Sequence, residues 1–103
     1  MIRLYRAVSP EELADLQSFG AFRPGQNSLL GKWFAETRDA ARRWGDLLYQ
    51  GQQFHLIELD VPSDVADAMF CLAMLDQIGP ARYAEGDVLT ALNQGHHGIR
   101  ECP

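Results

Sequence analysis

The stretch FHLIELDVP, Phe54 to Pro62, constrains the fold more than any other part of this chain. Its side chains alternate in the two-residue period of a β-strand, with His55, Ile57, Leu59 and Val61 on one face. Phe54, Leu56, Glu58 and Asp60 fall on the other, and Pro62 ends the strand. A chain holding such a strand must supply further strands to pair with it and helices to cover it. IRLYR, Ile2 to Arg6, reads as the first of these strands. Ile2, Leu4 and Arg6 share one of its faces, and Arg3 and Tyr5 share the other.

Helix punctuation follows at once. Ser9 is an N-cap, Pro10 suits the first helical position, and Glu12 completes a capping box. The helix runs to about Phe19 with Leu13 and Leu16 inward, and Gly20 stops it. Phe22 to Gly31 reads as a loop, because Pro24-Gly25, Asn27 and Ser28 are turn formers. KWFAE is a short strand. Thr37 caps a second helix whose inner stripe is Ala40, Ala41 and Trp44, with Asp39 in its first turn and Gly45 as its expected end. SDVADAMFCLAMLD reads as a short helical turn followed by a strand. Gly79-Pro80 reads as a break, Asp87 to Asn93 as a helix, and the end of GHHGIREC as a last short strand. The expected fold is a single α+β domain over residues 1–103, with a small mixed, partly antiparallel sheet and flanking helices.

Composition narrows the function. A hydrophobic share of 47% suits a globular domain. The net charge of -5 argues against nucleic acid as the main partner, because phosphate neutralisation needs a basic surface. The longest apolar run, Met69 to Leu75, is far short of the about 20 residues a membrane helix needs. No membrane partner is expected. The start of the chain has no long apolar core, so no signal peptide is read. The expected location is the cytoplasm, or a target cell reached as part of a larger exported protein. Cys71 and Cys102 lack a zinc spacing and read as reduced thiols, with a single bridge between them as the alternative. His96 and His97 are adjacent and point apart, so no metal site is expected.

Three groups of residues invite chemistry. Arg6 lies on an apolar strand face and needs a partner. It either pairs with a carboxylate such as Glu12 or presents its planar fork to a phosphate. Tyr83, Glu85 and Asp87 alternate in RYAEGD. In an extended segment they would aim together and hold a sugar-like cation; otherwise Asp87 caps the following helix. Trp33 and Phe34 are adjacent in GKWFAET, so a strand sends one to each face. Either both pack cores, or one stacks on a planar ligand.

LYRAVSPEELADL, NSLLGKWFA, FHLIELDVP and IGPARYAEGD together resemble a C-terminal toxin domain of bacterial polymorphic toxins, including Rhs-repeat proteins. Those domains look related to the ADP-ribosyltransferase fold. The resemblance covers about residues 4 to 102. It implies a toxin-type mono-ADP-ribosyltransferase that cleaves NAD at the nicotinamide–ribose bond and transfers ADP-ribose to an acceptor, in which a protein is one option. NAD is then the substrate, and an immunity protein is a further expected partner. Carried residue by residue, Arg6 holds NAD from the first strand, and Trp33, Phe34 and Ala35 form the second-strand wall. Glu85 is the catalytic carboxylate, with Tyr83 and Asp87 as its neighbours. The expected geometry has Arg6 and Glu85 facing each other across one groove. The alternative function is a non-catalytic binding module on the same scaffold, engaging a protein partner through the loop RPGQNSLLG.

Overall fold

The computed structural model describes residues 1–23 and 31–102. Among these, six strands and four helices form an α+β domain around one sheet. The elements are β1 (Ile2–Val8), α1 (Pro10–Phe19), β2 (Gly31–Ala35), α2 (Arg38–Tyr49), β3 (His55–Val61), α3 (Ser63–Ala68), β4 (Phe70–Leu75), β5 (Gly79–Glu85), α4 (Gly86–Gly95) and β6 (Ile99–Glu101). The sheet order is β4-β5-β2-β1-β3-β6. Every pairing among the described residues is antiparallel, which corrects the expectation of a mixed sheet.

The alternation read from β1 and β3 sorts the core into two layers. Leu4, Val8, Phe34, Ile57, Leu59, Val61 and Ala84 face α1, α3 and α4, which contribute Leu16, Ala66, Leu89 and Leu92. The opposite face carries Ala7, Ala35, Leu56 and Ala81 beneath Ala40, Ala41 and Trp44 of α2. The small alanines let this helix approach closely over β1, β2 and β3.

Local signals place α1 as expected, except that the capping box is half formed: the Glu12 carboxylate turns to Arg6 rather than back to the Ser9 amide, because a guanidinium is the stronger donor. The Ser9 hydroxyl accepts from the Glu12 amide at 3.1 Å, and Gly20 ends the helix in the left-handed region at φ 65°. Thr37 caps α2 in the same manner, accepting from the Ala40 amide at 3.2 Å. Three expectations change. Gly45 does not end α2, which continues to Tyr49. A Cβ on Gly45 would run into the Phe54 ring, so the glycine is there for close packing. Gly79-Pro80 is not a break but the start of β5. Leu72 pairs with Ala81 and Leu75 with Gly79, so two residues of β4 oppose Pro80 in a bulge. A proline lacking its N–H is accommodated where the ladder is already irregular. Asp87 lies in the first turn of α4 rather than at its cap, because β5 stays extended through Glu85 and Gly86 turns the chain at φ 56°. Residues 24–30 of the expected partner loop lie outside the described residues.

Candidate functional site

Residue alternation decides which candidate side chains can meet. Arg6 sits between Leu4 and Val8 on the face covered by α1. There its Nε donates to a Glu12 carboxylate oxygen at 2.7 Å and its Nη2 to the other at 3.1 Å. This two-pronged grip is the geometry a guanidinium prefers. The remaining nitrogen, Nη1, donates to the Trp33 backbone carbonyl at 2.8 Å. β1 and β2 share one registered pair, Tyr5 with Ala35. Beyond it the Arg6 side chain links the two strands.

Lys32 belongs to the same cluster. Its side chain is 10% exposed, and its Nζ lies 3.8 Å from Glu12. Burial pulls its pKa down from the ordinary lysine value, partly opposed by the Glu12 charge. Sequence reading assigned Lys32 no part. The available signal was alternation, which sets Lys32 on the same face as Phe34 and opposite Ala84.

Trp33, Tyr83 and Glu85 assemble on the other side of the sheet. Trp33 pairs with Tyr83 across β2 and β5, and their ring centroids lie 4.8 Å apart. The Phe70 ring of β4 meets Trp33 edge-on at 6.3 Å, extending the aromatic surface toward the sheet edge. The Tyr83 hydroxyl donates to the Glu85 carboxylate at 3.0 Å. Partial burial, and then this bond, push the Tyr83 pKa up, so the phenol keeps its proton and remains a donor. Gly31 makes room for the pair. A Cβ there would lie 2.7 Å from both the Tyr83 ring and the Glu85 Cβ.

Phe34 is fully buried, its ring edge-on to Phe22 at a centroid distance of 5.1 Å. Ala35 is buried against α2. Neither presents surface to a ligand, which corrects their place in a ligand-binding wall. The expectation that Arg6 and Glu85 face each other is corrected as well. They project from opposite faces of the sheet, because Arg6 keeps step with Leu4 and Glu85 with Tyr83. Asp87 is displaced from the line of Tyr83 and Glu85 by the turn into α4.

Two cavities stand out among the described residues. One, of about 590 Å³, is lined by Phe22, Glu85, Asp87, Leu89, Thr90 and Asn93. Its wall is pinned by Asn93, whose amide accepts from the Phe22 N–H and donates to the Phe22 carbonyl, both at 2.8 Å. The other, of about 380 Å³, lies between α2 and the start of β3, beside the His55–Glu101 pair and Cys102. Of the candidate residues, Glu85 and its neighbour Asp87 line the first cavity.

The fold and these side chains define an α+β domain on a six-stranded antiparallel sheet, with an aromatic surface beside a tyrosine-held carboxylate. Compared with family models, curated proteins and solved structures, the chain matches none. Among the described residues, no helix is long and apolar enough to cross a membrane.

Proposed function

We propose that the chain cleaves NAD between nicotinamide and ribose and passes ADP-ribose to an acceptor, with Trp33, Tyr83 and Glu85 on the reacting side. The observation that carries this reading is the convergence of the three side chains: two rings 4.8 Å apart and a carboxylate held at 3.0 Å by the tyrosine hydroxyl. The nicotinamide of NAD is a planar cation before it leaves. An indole face attracts such a ring by dispersion and by its quadrupole. As the glycosidic bond breaks, positive charge passes to the ribose, and a carboxylate already fixed in place stabilises it without reorganising. The acceptor's lone pair then bonds to the ribose carbon, nicotinamide departs neutral with the bonding electrons, and the acceptor's proton goes to Glu85 or water. Tyr83 orients the carboxylate. Arg6 acts as a positioning residue, holding the carbonyl of the residue whose indole forms the wall.

Free nicotinamide released from NAD, measured by chromatography, tests the reading. The parent chain should release it, and Glu85→Gln should lower the rate by about 100-fold, the scale of losing one preorganised electrostatic group. Circular dichroism should show both chains folded. A parent chain that leaves NAD intact, or a Glu85→Gln chain of parental rate, would sink the proposal.

A further inference from the structure

We propose that β4 is a docking edge for an extended segment of another protein, apolar along its middle and basic at its ends. β4 closes one side of the sheet, so one row of its backbone donors and acceptors has no strand beside it among the described residues. Such a row is a template for an added strand. Its side chains are apolar and open: Phe70, Leu72 and Met74 are exposed by 59%, 38% and 60%. Phe70 and Leu72 pair with Tyr83 and Ala81, so both project on the face that also carries Trp33. An added strand would extend that apolar surface.

The opposite edge shows what protection looks like. β6 is three residues long, and Arg100 is tied to Glu58 at 3.1 Å and to Asp60 at 3.4 Å. Glu101 is tied to His55 at 2.8 Å. Short length and charge are the usual guards against edge pairing. β4 is six residues long, and Ala68 to Leu75 carries no charged residue; its bulge lies between Leu72 and Leu75, which leaves the regular stretch Phe70 to Leu72 open to pairing.

Charge selects the occupant. Exposed Asp67 and Asp76 bracket β4, and neither joins an ion pair among the described residues. A second copy pairing antiparallel about Leu72 would set Asp76 of one chain beside Asp67 of the other. Two chains of net charge -5 would also repel. A strand with lysine or arginine at its ends meets both aspartates favourably. No step of the NAD chemistry uses β4, but its Phe70 ring meets the Trp33 wall, so the two proposals are read by separate measurements, peptide binding and nicotinamide release.

The probe is a seven-residue peptide of alternating valine and threonine with lysine at both ends. Binding is followed by peptide anisotropy and by amide shifts in the isotope-labelled protein. The expected result is shifts centred on β4 and an affinity about tenfold better than for the same peptide with glutamate ends, as two exposed ion pairs supply. Phe70→Lys and Leu72→Lys, both at exposed positions, should each weaken binding about tenfold while leaving circular dichroism unchanged. Absence of β4 shifts at millimolar peptide, or equal affinity for the two peptides, overturns the proposal. So does a peptide-free dimer in sedimentation that Leu72→Lys dissolves, which would assign the edge to a second copy.

Discussion

The Arg6 guanidinium holds the Trp33 carbonyl at 2.8 Å while its other two nitrogens straddle Glu12. One side chain thus ties β1, β2 and α1 together at the point where the first two strands stop pairing. Among the described residues, Glu12 is the sole carboxylate in ion-pair range of both Arg6 and Lys32. Replacing it by glutamine leaves two cations in a mostly buried site. Glu12→Gln should lose about 2–3 kcal/mol in urea unfolding, less than the about 3–5 kcal/mol of a fully buried pair because both side chains keep some solvent exposure. Adding Lys32→Met to that chain should recover part of the loss, because one uncompensated charge is then gone.

Adjacent aromatics should behave oppositely. Phe34→Ala empties a fully buried site against Phe22 and should cost about 3–5 kcal/mol of stability. Trp33 is only partly buried, so Trp33→Ala should cost less, while weakening NAD turnover more than any stability change explains. Urea unfolding and nicotinamide release, run on both variants, check the split.

Gly45→Ala should destabilise the chain although alanine is the better helix former. The added methyl meets the Phe54 ring, which is stacked on Tyr49 at 5.7 Å and cannot retreat freely. Overpacking of this kind costs about 1–3 kcal/mol, against about 1 kcal/mol gained in helix propensity. Phe54→Leu in the same chain should restore stability, as measured by the urea midpoint.

Acid should weaken the fold through Asp60 and Asp15. Hydrogen bonds from Arg3 and Arg23 hold these carboxyls below their ordinary value of 3.8. A depressed carboxyl binds fewer protons folded than unfolded, so its stabilisation is complete above that value and is lost as pH falls below it. The urea midpoint should therefore drop from pH 5 toward pH 2. Asp60→Asn should start lower at pH 5 and show a shallower drop.

Much of the secondary structure is legible because its causes are local. Ser9, Glu12 and Gly20 write the limits of α1 within a dozen residues, and the alternation in β3 names its two faces without reference to any partner. The Arg6–Glu12 pair is legible for the same reason: only six positions separate the two residues. Where a residue's purpose is set by packing rather than by a cap or a charge, sequence misleads even at short range. Gly45 looks like a stop until Phe54 is seen against it, and Pro80 looks like a break until the bulge of β4 is laid opposite.

The candidate site divides along the same line. Sequence alone determines that Trp33 and Phe34 must part to opposite faces, since strand geometry leaves them no choice. It also determines that Tyr83 and Glu85 align if the segment is extended. Only tertiary structure decides that β5 runs through Glu85, that Trp33 joins that pair, and that Arg6 lies on the other side of the sheet. Facing depends on which strands become neighbours and in what register. Those are set by the summed burial of side chains far apart in the chain, which no short motif encodes.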